Sequence, residues 1–415
     1  MPYTILKEPP ERVFADNEIW LRLQHPAPSS ASFGTNNVVR VLIETPYNSS
    51  NYEGVQDLYC PFLNVQGLSE YNLRDVLRKY VIKRILSSGV PNIANMVTND
   101  LDTHVRYKLA YYEFSNGELI GGGAADTSGV KHAYIGGLQV NWDAEMEATI
   151  NNAGLHALVL TNRPQYYTLD RQSLDFVSYI SITGLTPIYI HYEFEFEDGT
   201  TQIWDDTYSG TNNANEKYHI NISPAYFYNA APITGNLKRY TWQLRNPANG
   251  DLSERYYVEM VCCNPRNKHF LFMNSLGGYD GLMTSGQFDV NIDTDQPIAQ
   301  RTMRHNTPDY LGSLFQYGGI ADETTKVQSD WQKGVCHYRY WQDLLQYTAA
   351  KFEYIPHEYC DNCDPIQVLN MQHLRPILIP DQNIKVNNSA DNSHYRVGFS
   401  YRYAFNSTNH SPNIL

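Results

Sequence analysis

The chain has 415 residues, and its 31 basic and 44 acidic side chains leave a formal charge of −13. That balance excludes nucleic acid as a primary partner, because phosphate binding runs on a Lys/Arg surplus. Ordinary contents of Gly (26) and Pro (21) exclude collagen-like and low-complexity chains, and no apolar run approaches the roughly 20 residues of a membrane helix, so no membrane span is expected.

The opening segment, MPYTILKE, has neither a basic n-region nor an apolar h-region. It reads as no signal peptide, with synthesis and folding in a cytoplasm. Strand signals come next, at 13–14, 18–23 and 37–43 (NVVRVLI), where β-branched and aromatic residues alternate between turn formers. Asn72 can cap a helix over 72–88, in which Leu73, Val76, Leu77, Tyr80, Val81 and Ile85 recur at helical spacing and Gly89 lies just beyond. Arg74, Arg78, Lys79 and Lys83 form its basic face, read as solvated.

Residues 105–114 (VRYKLAYYEF) alternate and run into Asn116-Gly117, a hairpin signal. The glycines at 121–123, 129 and 136–137 lack the Gly-Lys-Ser/Thr of a phosphate loop and read as turns. Strand signals return at 155–160, 174–182 and 187–197 (PIYIHYEFEFE), the last closing through Asp198-Gly199 onto 201–204. Strands over 239–244 and 255–261 flank a turn. A helical stripe of Tyr340, Trp341, Leu344, Leu345, Tyr347 and Thr348 predicts a helix over 337–352, and 395–405 predicts a closing strand.

About a dozen strand candidates punctuated by turns predict a mainly β fold of several β-sandwich-like domains with two inserted helices. The expected divisions are an N-terminal sandwich over 1–170, a second over 171–285, and a C-terminal elaboration over 286–415.

Chemistry-bearing patterns are few. The six cysteines (Cys60, Cys262, Cys263, Cys336, Cys360, Cys363) read as free thiols, mostly buried, rather than a disulfide framework. Cys360 and Cys363 form a Cys-x-x-Cys and are the metal-ligand candidates. His357, Cys336 and His337 could complete the set, but Asp361-Asn362 makes a turn without any metal. Residues 289–295 place oxygen donors at alternate positions but lack the Gly and Glu of an EF-hand, so a strand with Val290 and Ile292 facing a core is the simpler reading. Glu193, Glu195 and Glu197 share one strand face. They resemble a glycosidic acid pair only loosely and read as a solvated surface. No Gly-x-Ser-x-Gly, His-Glu-x-x-His or Walker motif occurs, so neither an enzyme nor a cofactor is expected. The 33 tyrosines suit protein interfaces or sugar stacking, and equally suit strands, and composition leaves both open.

A set of phrases in fixed order carries a resemblance: FADNEI at 14–19, the amphipathic helix, YKLAYYE at 107–113, LVLTNRP at 158–164, and CNPRNKHFLFMNSLGGYD at 263–280. In this order the chain resembles a poorly characterised family of virion proteins from tailed phages and prophages of Bacteroidota. The resemblance spans about residues 10–285; Cys262 and the long C-terminal third depart from it. It implies a structural component of the virion tail or baseplate, working through other virion proteins and copies of itself in a ring or tip. A carbohydrate- or receptor-binding module contacting a host surface glycan is the alternative. Gly277 and Gly278 are then a tight structural turn, with Asp280 accepting backbone N–H bonds.

Overall fold

The computed structural model describes residues 4–24, 35–60, 68–88, 91–119, 126–137, 156–262, 264–300, 314–329, 332–355, 374–380, 385–388 and 394–404, less a few short breaks within those ranges. The fold is mainly β, in several sheets.

Alternation builds the sheets. In Ile188–Phe196, the side chains of Ile188, Ile190, Tyr192, Phe194 and Phe196 turn inward, and Tyr189, His191, Glu193 and Glu195 between them stay partly exposed. This strand sits within a six-stranded sheet that runs Tyr166–Leu169, Tyr256–Met260, Leu237–Asn246, Ile188–Phe196, Thr201–Tyr208. Its first pair is parallel. A four-stranded sheet, ordered Ala157–Val159, Phe176–Ser181, Glu216–Asn221, Val97–Asp100, packs against it. Val177, Tyr179, Tyr218 and Ile220 of that sheet share one core with Ile190, Tyr192 and Trp242, which makes a sandwich. Phe176–Ser181 and Glu216–Asn221 are buried at every position. The four-stranded sheet is therefore covered on both faces at its centre.

Its second face meets the N-terminal part of the chain. There, Arg12–Phe14, Lys131–Tyr134, His104–Ser115, Thr35–Glu44 and Tyr52–Cys60 follow one another in a seven-stranded sheet. Helix α1, Arg74–Ser88, lies against this sheet through Val76, Leu77 and Val81. Burial of each such side chain contributes about 1.5–3 kcal/mol. The helix starts two residues later than expected: Asn72 ends the strand Leu68–Asn72, and its Oδ1 accepts from the Arg74 N–H at 3.0 Å. The last large sheet, of nine strands, includes Lys268–Met273, Tyr279–Thr284, Lys351–Tyr354 and His394–Tyr403.

Neither expected division separates sheets. Val97–Asp100 pairs with Glu216–Asn221 across residue 170, and Lys268–Met273 pairs with Lys351–Tyr354 across residue 285. Three helices are present among the described residues. Helix α2, Pro224–Ala230, escapes a periodicity reading because it is short, with its three aromatic residues adjacent, although Pro at its first turn marks it. Helix α3, Val335–Gln346, stops before the expected residue 352. Lys351–Tyr354 instead pairs with the strand Lys268–Met273, and that ladder outweighs the local helical pattern. No helix among the described residues is long and apolar enough to cross a membrane.

Most of the large, fully buried side chains are tyrosines, including Tyr107, Tyr111, Tyr134, Tyr179, Tyr192 and Tyr279. Much of the tyrosine loading is therefore core, and surface rings such as Tyr59 and Tyr166 are fewer.

Candidate functional site

The strands Lys268–Met273 and Tyr279–Thr284 form a hairpin, and the loop between them is the expected turn. Asn274 organises it: its Oδ1 accepts from the N–H groups of Leu276 (3.0 Å) and Gly278 (2.9 Å). Gly277 has φ +81°. A Cβ there would collide with the Ile135 carbonyl oxygen, and one at Gly278 with that of Leu160. Gly277 is thus required by conformation and by close approach, and Gly278 by close approach alone.

Asp280 is buried, and its donors differ from those expected. They are the Thr161 hydroxyl at 2.9 Å, Arg163 Nη2 at 2.6 Å and Asn274 Nδ2 at 2.7 Å. All three are side chains, and the acceptor of backbone N–H groups in the turn is Asn274. Asn162 joins in, donating to Ser275 Oγ at 2.9 Å and to Asp343 Oδ2 of α3 at 2.7 Å. The two phrases LTNRP and NSLGGYD therefore meet in space.

Arg163 is the centre of this joint, with no exposed side-chain surface. Its five N–H groups meet five acceptors: Thr161 Oγ1 at 3.0 Å, Tyr167 OH at 3.1 Å, Asp175 Oδ2 at 2.6 Å, the Phe176 carbonyl at 2.5 Å and Asp280 Oδ1 at 2.6 Å. Asp175 also accepts from the Tyr167 hydroxyl at 2.9 Å and the Gly281 N–H at 2.9 Å. Burial pushes the Asp175 carboxyl up to about 6, against the opposing pull of Arg163.

A second buried cluster lies on the other side of the turn. Asp100 Oδ2 is 2.6 Å from His219 Nε2 and 3.2 Å from Lys217 Nζ. Lys217 Nζ also donates to Thr103 Oγ1 at 2.7 Å and to the Gly277 carbonyl. Burial lowers the His219 pKa, although Asp100 opposes the shift. The ring Nε2 faces the Asp100 carboxylate, and its Nδ1 lies 2.7 Å from Ser178 Oγ. Ser178, His219 and Asp100 thus form a serine–histidine–aspartate chain that no sequence motif announces. Ser178 has no exposed surface, however, and its oxygen accepts the Tyr279 N–H at 2.8 Å. As held here, the chain of bonds ties the turn to the four-stranded sheet.

A cleft of about 740 Å³ adjoins the Arg163 joint through Tyr167, Gly281 and Tyr340, and its lining also includes Tyr166, Thr168, Lys238, Arg239, Tyr257, Glu259, Asn264 and His337. Tyr166 and Tyr257 stand side by side on the parallel strand pair and stack at 4.7 Å with an 11° angle between rings. Burial lowers the His337 pKa.

The other sequence candidates resolve as follows. Cys360 and Cys363 lie outside the described residues. Cys262 is an exposed free thiol, against the expectation of burial. Phe288–Asp295 is a strand paired with Ile320–Gln328, but Val290 is exposed, not core-facing. Among the described residues, no group of three or more His, Cys, Asp or Glu side chains could hold a metal ion. Glu193 pairs with Arg255 at 2.9 Å, and Glu195 with Lys238 at 3.2 Å and with Arg239. Glu193 and Glu195 are therefore matched by bases, while Glu197 accepts from the Asn236 amide at 3.4 Å. On α1, Arg78 is not simply solvated, because its Nε donates to Asp16 Oδ1 at 2.5 Å.

No family model and no curated protein matches the chain. Among solved structures, the crystal structure of dimeric latent PorU from Porphyromonas gingivalis aligns at 10% identity with a TM-score of 0.20, over 79% of this chain and 32% of that one. The chain spans about a third of the length of that protein, and a likeness at this score bears no weight for fold or function.

Proposed function

We propose that the chain is a structural component of a phage virion, of the tail or baseplate region, that acts through protein–protein interfaces with copies of itself and with other virion proteins. The observation that carries this reading is the joint around Arg163. The phrases that resemble the virion family converge there, and their polar groups bond to one another inside the chain. Residues used in that way specify a rigid shape, which is what an assembling subunit supplies.

The sheet margins support the same reading. Among the described residues, Tyr52–Cys60 and Thr201–Tyr208 are outermost in their sheets and carry the exposed Tyr59 and Ile203. Outermost strands with exposed apolar side chains suit packing against a neighbouring subunit, and aromatic rings are enriched at interface centres.

Chemical cross-linking of purified particles with mass spectrometry tests the proposal. Cross-links from this chain to itself and to tail proteins are the expected result. Absence of the chain from the particles overturns it.

A further inference from the structure

We propose that the cleft beside Tyr166 and Tyr257 binds a neutral oligosaccharide. This goes beyond the assembly role, since a subunit can assemble whether or not the cleft is filled.

The argument begins with the rings. A tyrosine stacked on a partner at 4.7 Å and 11° is held flat, with one face covered by its neighbour. Tyr166 is nevertheless 62% exposed, so its outer face remains open to solvent. A flat ring face left open and pre-oriented beside a cavity is a platform on which a flat, partly apolar ligand can stack. The C–H face of a pyranose is such a ligand, and its ordering cost is low because the platform is already rigid.

The rest of the lining fits hydroxyl groups. Thr168, Lys238, Arg239, Glu259 and Asn264 present both donors and acceptors, as a sugar's hydroxyls require. Charge selects the class. Lys238 and Arg239 share the single carboxylate of Glu195, Glu259 supplies a second negative group opposite Arg239, so these four charges balance locally, and the chain carries −13 overall. A polyanionic glycan is repelled and a neutral one is not. At about 740 Å³ the cleft is within the range of small-ligand sites.

The experiment titrates the full chain by calorimetry with cellotetraose, maltotetraose, xylotetraose and mannotetraose, each to about 10 mM, and with heparin as the polyanion. At least one neutral tetrasaccharide is expected to bind. Tyr166→Ala is expected to weaken it by about tenfold or more, and Tyr166→Phe to keep most of it. Tyr59→Ala, which removes an equally exposed ring outside the cleft lining, is expected to leave binding unchanged. An unchanged melting temperature shows that Tyr166→Ala folds. Binding by none of the four, binding only by heparin, or equal loss in the Tyr166 and Tyr59 variants overturns the proposal. Cross-links within particles are scored separately, so failure here leaves the assembly role standing.

Discussion

Arg163 and Asp280, 117 positions apart in sequence, meet at 2.6 Å in the interior with neither side chain exposed to solvent. A guanidinium buried between two carboxylates is stable only while its partners remain, because desolvation makes either charge costly alone. Arg163→Ala is therefore expected to destabilise the fold by about 3–5 kcal/mol, read as a shift in urea midpoint. Arg163→Lys keeps the charge but loses the planar fork that reaches five acceptors, and is expected to recover only part of that loss. A near-neutral Arg163→Ala contradicts the joint as described.

The turn is expected to be intolerant of a single added carbon. Gly277→Ala meets both a positive φ and the Ile135 carbonyl, so a loss of more than about 2 kcal/mol is expected. Gly129 has nothing within 4 Å of a Cβ, and Gly129→Ala is expected to stay within about 0.5 kcal/mol of the parent. Equilibrium denaturation of the two variants side by side checks the contrast.

Acid titration separates two carboxylates of opposite sign. Asp175 rises from 3.8 to about 6 on folding, so its stabilising contribution is full below about pH 3.8 and is lost as pH rises through 6. Asp170 is pushed up by burial, but His269, Asn267 and Ser173 outweigh this and hold it at about 2. Its contribution is present above pH 3.8 and is lost as pH falls through 2. Asp175→Asn is expected to flatten the stability slope between pH 4 and 6, a term on the order of 3 kcal/mol, while leaving the loss below pH 4 in place. Urea midpoints from about pH 2 to pH 7 measure both.

The Ser178–His219–Asp100 chain is expected to be structural. Ser178→Ala leaves the Tyr279 N–H without its acceptor and is expected to cost about 1–3 kcal/mol. A fluorophosphonate probe is expected to leave Ser178 unlabelled in the folded protein, as peptide mapping would show. Labelling of Ser178 under native conditions contradicts a purely structural role.

Much of the strand content was legible because its signal is local. The run IYIHYEFEF alternates in letters as it does in burial, and the Asn72 side chain accepts from the first N–H of α1. The joint was half legible. The Gly277-Gly278 turn was implied by the family resemblance, but the donors to Asp280 come from residues 6 to 119 positions away, which no local pattern encodes. Arg163, followed by Pro164, looks like an ordinary loop residue; only the packing of distant strands makes it a buried charge. Tyrosine is the least legible, because it suits both faces of a strand. Tyr192 is buried and Tyr166 open, and what decides is which neighbouring sheet covers each.

Native mass spectrometry of the full chain, with a parallel screen for turnover of ester, peptide and glycoside substrates, puts the assembly role to its most direct trial. A homo-oligomer of defined stoichiometry with no turnover is the expected outcome. A monomer at micromolar concentration that hydrolyses one of those substrates contradicts it.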